Sequence, residues 1–210
     1  MAINFKNLNS IIANIEKFNN SELMIVTKNQ SVDDIKKLIS SNFKLFGENR
    51  VQEAKIKYED LVNRDKLKLH MIGPLQKNKV KVALRVFDTI QTIDRFTLVD
   101  EVGKILTRDI FRTKEFYIQV NIGNEVQKSG VKSKELKDLY SYSLNKGLNI
   151  VGLMCIPPNL EDPSEYFEQM LIIRDKINKN LKLSMGMSND YEYALNLKSN
   201  IIRVGSLIFS

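Results

Sequence analysis

Apolar positions along this 210-residue chain recur with two alternating periods. Over residues 3–18, Ile3, Leu8, Ile11, Ile12, Ile15 and Phe18 fall near helical spacing, which predicts a helix with one apolar face. A short apolar run over 23–28 ends on Lys28 and predicts a strand. Ser31 then caps a helix. Asp33 and Asp34 in its first turn suit the positive end of the helix dipole, and Ile35, Leu38 and Ile39 face inward. The same alternation predicts strands at 43–46, 67–72, 89–93, 116–122, 149–154, 183–185 and 201–204. Helices are predicted between them at 50–63, 76–86, 95–108, 134–146, 163–179 and 190–197, with a loop through Gly130 after the fifth strand.

Strands separated by helices imply right-handed crossovers and a parallel sheet. Eight of them predict a closed (β/α)8 TIM barrel, with an open doubly wound sheet as the competing architecture. Almost nothing follows the last strand, so its helix is missing or very short, and helix 3–18 is placed to cover the gap. The prolines stand at 74, 157, 158 and 163, no low-complexity block divides the chain, and one domain over 1–210 is the economical reading.

In such barrels chemistry collects at the C-terminal strand ends. Those ends carry Lys28, Asn49, Gly73-Pro74, Asp94-Arg95, Asn121, Met154, Ser188, and Arg203 with Gly205-Ser206. The turns at Gly186-Met187-Ser188 and Gly205-Ser206 expose backbone N–H groups and hydroxyls, which suits a phosphate. Two ordinary turns would read the same way. Arg203 adds a planar, permanently charged donor for a phosphate or for a ring nitrogen, or else a structural salt bridge. An arginine would leave a pyridine nitrogen unprotonated, which restrains carbanion chemistry. Lys28 faces this cradle in sequence order, as a lysine holding an aldehyde as an imine would. Its four preceding apolar residues predict shelter at the barrel mouth, although a lysine ending a strand in solvent fits its position too.

The net charge of +7 reads as a solvated lysine-rich surface, because the lysines are spread and no aromatics interleave them. A single cysteine, Cys155, rules out an internal disulfide, and the lone His70 has no Cys or His partner for zinc. His70 reads as satisfied core or rim, Cys155 as a small buried residue. Met185 and Met187 read as core or pocket lining. No apolar run approaches the ~18 residues of a membrane span, and the N-terminus lacks a signal-peptide pattern. A reducing cytoplasm is the expected location.

Several segments together resemble one family in order along nearly the whole chain. They are Val26-Thr27-Lys28, Phe46-Gly47-Glu48-Asn49-Arg50-Val51-Gln52-Glu53, His70-Met71-Ile72-Gly73-Pro74-Leu75-Gln76-Lys77-Asn78-Lys79, Thr92-Ile93-Asp94-Arg95, Val120-Asn121-Ile122, Lys128-Ser129-Gly130, Gly152-Leu153-Met154, Gly186-Met187-Ser188 and Arg203-Val204-Gly205-Ser206. The chain resembles the pyridoxal-phosphate homeostasis proteins, relatives of the N-terminal barrel of alanine racemase. By that resemblance Lys28 is the imine lysine for pyridoxal 5′-phosphate (PLP). Ser188, Gly205 and Ser206 hold the phosphate, Arg203 meets the ring nitrogen, and Asn49 and Met154 line the pocket. Lys128 matches the family's loop lysine. Thr27 stands where the family usually has serine, and the chain stops at Phe209-Ser210 where relatives continue, which predicts a looser final turn.

The resemblance implies a cofactor carrier or regulator without robust turnover, a monomer whose partners are PLP and PLP-requiring apo-enzymes, with no nucleic acid or membrane. The alternative is an amino-acid racemase. Racemases of this fold add a β-rich domain supplying a second acid/base tyrosine, whereas the barrel takes up all 210 residues here. Two-base racemisation needs a proton donor on each face of the substrate carbon, and Lys28 serves one face. A phosphate-binding barrel for another small ligand is the remaining reading.

Overall fold

The computed structural model describes residues 3–18, 21–159 and 162–209. Ser210 and six other positions of the predicted 1–210 domain lie outside the described residues. The elements in chain order are α1 (Phe5–Glu16), β1 (Glu22–Val26), α2 (Val32–Ser40), β2 (Leu45–Glu48), α3 (Val51–Tyr58), β3 (Lys68–Met71), α4 (Val80–Val86) and β4 (Thr89–Ile93). They continue with α5 (Phe96–Leu106), β5 (Glu115–Asn121), β6 (Val131–Lys132), α6 (Leu136–Asn145), β7 (Ile150–Cys155), α7 (Pro163–Asn178), β8 (Lys182–Ser184), α8 (Tyr191–Asn196) and β9 (Ile201–Val204).

The strands hydrogen-bond in the order β4-β3-β2-β1-β9-β8-β7-β5, and β4 also pairs with β5, so the parallel sheet closes into an eight-stranded barrel. Closure excludes the open doubly wound sheet. The two-residue β6 pairs alongside β5 within the segment predicted as a loop. It is too short for periodicity to reveal.

Side-chain alternation sends successive strand residues to opposite sides of the barrel wall. Ile25, Phe46, Leu69, Ile90, Ile118, Leu153, Leu183 and Ile202 point outward, one per barrel strand, and join the main cluster under the helices. Each such burial contributes about 1.5–3 kcal/mol. Met24, Leu45, Tyr117, Met154 and Ile201 form a separate cluster inside the barrel. Helix starts follow the local chemistry. Ser31 accepts from Asp34 N at 3.1 Å, and Asp162 accepts from Ser164 N at 2.9 Å with Pro163 in the first turn.

Helix α1 and its lead-in pack against the segment that follows β9. Asn4 N donates to Ile208 O at 2.7 Å, Asn7 Nδ2 donates to Leu207 O at 2.9 Å, and Ile3 bridges Phe209. The final turn is tight rather than loose. Ile208 N bonds Gly205 O at 2.8 Å, and the Ile208 and Phe209 side chains are buried.

Candidate functional site

Among the seven candidate site residues, Lys28, Asn49, Ser188, Arg203, Gly205 and Ser206 line one cavity of about 680 Å³ at the C-terminal strand ends. Met154 does not line it. Side chains two residues apart share a face, so Ile156, just past the end of β7, reaches the cavity while Met154 is fully buried one layer deeper, against Met24 and Tyr117.

Two turns form one wall. Gly186 has φ +93°, and a Cβ there would lie 2.5 Å from Ala194 Cβ, so only glycine lets β8 turn this sharply against α8. The Asp190 carboxylate is turned back onto Met187 N at 2.5 Å and holds the turn. Burial pushes that carboxyl upward, opposed by the Met187 hydrogen bond and by Arg203. Among the described residues no protein acceptor takes the backbone N–H of Ser188, Asn189, Gly205 or Ser206. Those free donors, with the Ser188 and Ser206 hydroxyls, are the chemistry a phosphate requires.

Arg203 is buried at the cavity wall. Nη1 donates to Ser184 Oγ at 2.9 Å and Nη2 to Cys155 O at 2.8 Å. Both acceptors are neutral, so the salt-bridge reading of Arg203 does not hold. Burial weakens its hold on the proton, yet guanidinium stays charged at ordinary pH. A polar chain continues beneath it, which sequence reading missed. Ser184 Oγ donates to Gln91 Oε1 at 2.7 Å, and Gln91 Nε2 meets His70 Nδ1 at 2.9 Å. The only sequence signal was polar residues at inward strand positions. Cys155 is buried, and burial pushes its thiol up to about 12, so it is no nucleophile.

Burial pulls His70 from 6.5 down to about 3, aided by Lys68 and Lys182. The folded state therefore keeps this imidazole neutral where the unfolded chain protonates it. The stability it permits is present above pH 6.5 and is lost as pH falls toward 3. The expected slope from this group is about 1.4 kcal/mol per pH unit. His70→Gln retains an acceptor for Gln91 and should flatten that slope in denaturant titrations between pH 6 and pH 4 (a range of about two units). An unchanged slope would contradict a neutral buried His70.

Opposite the turns, Asn49 is half-buried and its Oδ1 is enclosed without a partner. Gly73 presses on the Asn49 backbone, where a Cβ would come within 2.2 Å of Asn49 O, so glycine is what allows this wall. Lys28 lies two residues beyond β1 and is exposed rather than sheltered. Buried Thr27 turns in toward α3, and the next residue swings to the rim. Lys128 stands outside the lining. Its Nζ donates to Pro157 O at 3.1 Å and pairs with Glu125, tying the 122–130 loop to the lining segment at 156–159. Ile156, Asn159, Asp190 and Tyr193 also line the cavity. Ile156 and Asn159 flank Pro157-Pro158, and nothing in the local pattern marked Asp190 or Tyr193. Among the described residues there is no cluster of three metal-ligating side chains, and no helix is long and apolar enough to cross a membrane.

Free N–H donors, two hydroxyls and a buried cation lining one cavity fit an anionic ligand such as a phosphate ester. Comparison with known proteins points the same way. Residues 3–210 match the family described as the alanine racemase N-terminal domain. The pyridoxal phosphate homeostasis protein of Aquifex aeolicus (strain VF5) is 37% identical over 200 residues, covering 91% of this chain and 87% of the relative. The solved structure of PipY from Synechococcus elongatus PCC7942, with PLP bound, superposes with a TM-score of 0.84 at 28% identity, covering 98% of this chain and 99% of that one. Alanine racemase of Clostridium difficile 630 shares the fold at 12% identity and a TM-score of 0.75, over 99% of this chain and 57% of the racemase.

Proposed function

Because the chain belongs to the alanine racemase N-terminal-domain family, among relatives named pyridoxal phosphate homeostasis proteins, we propose that it binds PLP in this cavity and serves PLP homeostasis. Fold alone assigns no function. The observation that carries the proposal is the convergence of Lys28, Arg203 and the β8–β9 turns on one cavity. In this reading Ser188, Gly205 and Ser206 hold the phosphate, and Arg203 faces the ring nitrogen. Asn49 lines the pocket, and Met154 supports the floor from one layer below.

Lys28 would supply the amine that holds the aldehyde of PLP covalently. Bound PLP supplies an electrophilic carbon for amines, while the arginine keeps its ring a weak electron sink. A carrier that hands PLP to apo-enzymes as a cytoplasmic monomer is therefore favoured over racemase turnover, and no nucleic acid or membrane partner enters this reading.

The test is titration with PLP and with pyridoxal, which lacks the phosphate. One charge-assisted hydrogen bond contributes about 1.5–3 kcal/mol, and a phosphate held by two or more makes pyridoxal bind at least about 100-fold more weakly. Ser188→Ala with Ser206→Ala should narrow that gap. Equal affinities would remove the phosphate cradle from the account. Clear turnover of any amino acid in racemase or transaminase assays would favour the enzyme instead.

A further inference from the structure

The imine lysine proposed above is exposed, which leaves open how its approach to a ligand is fixed. Among the described residues the Lys28 ammonium has no hydrogen-bond or ion-pair partner in the protein. Its backbone is held on both sides. Lys57, on α3, donates from Nζ to Thr27 O at 2.7 Å, to Glu48 Oε1 at 3.0 Å and to Glu53 Oε1 at 2.5 Å. All three ammonium donors are thereby used. Glu53 Oε1 also accepts from Asn29 N at 2.6 Å. Thr27 Oγ1 donates to Glu48 Oε1 at 2.7 Å and shares a hydrogen bond with Tyr58 Oη at 2.8 Å. Asn29 completes the turn in the left-handed region, at φ 61°.

Helical spacing explains the arrangement from below. Glu53 and Lys57 are four residues apart on one face of α3, and Glu48 ends the strand that runs beside β1. A buried ion pair is weak evidence for stability, because desolvation offsets the attraction. Its geometric effect is definite here. Residue 27 is held by its carbonyl and residue 29 by its amide, through one shared ammonium–carboxylate pair.

We propose that Glu48, Glu53 and Lys57 act as positioning residues, forming a clamp that presets the Thr27-Lys28-Asn29 turn so that only the Lys28 side chain moves to meet the aldehyde. This deepens the PLP reading and rests on it. It also gives a role to the two carboxylates of the Gly47-Glu48-Asn49-Arg50-Val51-Gln52-Glu53 segment, which touch no ligand in that reading. Burial pulls the Glu53 carboxyl upward, but hydrogen bonds from Lys57 and Asn29 outweigh it and hold it below the usual range. Burial pushes Glu48 upward against the pull of Lys57.

The test separates covalent capture from ligand binding. The rate of imine formation is followed by stopped-flow absorbance with PLP, and noncovalent affinity by titration with pyridoxine 5′-phosphate, which carries an alcohol in place of the aldehyde. Glu53→Ala should slow imine formation at least about tenfold, as a loss of reactant alignment does. Its pyridoxine 5′-phosphate affinity should stay within about twofold, because Glu53 does not line the cavity and the phosphate turns follow β8 and β9. Glu53→Gln keeps the acceptor oxygen and should restore most of the rate. Hydrogen exchange in the unsubstituted protein supplies a readout independent of variant folding, with the Asn29 amide expected to be protected. Unchanged capture by Glu53→Ala, or free exchange at Asn29, would overturn the clamp while leaving the PLP site intact. No imine on Lys28 in the unsubstituted protein would instead overturn the site reading itself.

Discussion

Lys28→Ala should yield a protein that still binds PLP through its phosphate but leaves no adduct after borohydride reduction. Loss of the covalent link should be complete. The residual affinity should fall by at least about tenfold, or ~1.4 kcal/mol. Stability should hardly change, since exposed substitutions away from special features shift it by about 0.5 kcal/mol or less. Lys28 is exposed at the rim, and among the described residues its side chain has no hydrogen-bond or ion-pair partner. The turns that would carry the phosphate belong to β8 and β9, so they persist without it. Absorbance and reduced-protein mass read the two effects separately. A persistent adduct in Lys28→Ala would place the imine elsewhere.

Arg203→Glu should change the visible spectrum of the bound cofactor. The wild-type guanidinium sits between Ser184 Oγ and the Cys155 carbonyl and presents a donor that keeps its proton. A carboxyl in the same buried position would be held protonated by desolvation, with a proton to share with the pyridine nitrogen. Protonation of that nitrogen strengthens the ring as an electron sink. The substitution also removes a donor from Cys155 O, a loss of about 1–3 kcal/mol in stability. Arg203→Met, with no proton to offer, should carry the stability loss without the protonated-ring signature. Identical spectra for the wild type and Arg203→Glu would remove Arg203 from contact with the ring.

Architecture was legible in the sequence because barrel strands and their covering helices are defined by local periodicity. The eight outward residues from Ile25 to Ile202 sit in runs that no helix pattern competes with. The second strand is displaced toward its C-terminus. It begins at Leu45 and runs through Gly47 and Glu48, which read as a tip because a glycine and a carboxylate look like loop residues. Glu48 is buried there with its Oε1 held by Thr27 and Lys57, a pairing that local spacing does not encode. The same reason hid the interior polar chain, whose Ser184–Gln91 link joins residues 93 positions apart. Strand-end position brought six site candidates to one cavity but mistook the depth of Met154. A residue that ends a predicted strand can still lie a full layer below the mouth.

The most direct measurement is peptide mapping by mass spectrometry of the wild-type protein, loaded with PLP and reduced with borohydride. The mass of the reduced cofactor should fall on the peptide containing Lys28, and on no other. Label on Lys57, Lys128 or any other lysine, or none at all, would contradict a cofactor held between the rim lysine and the β8–β9 turns.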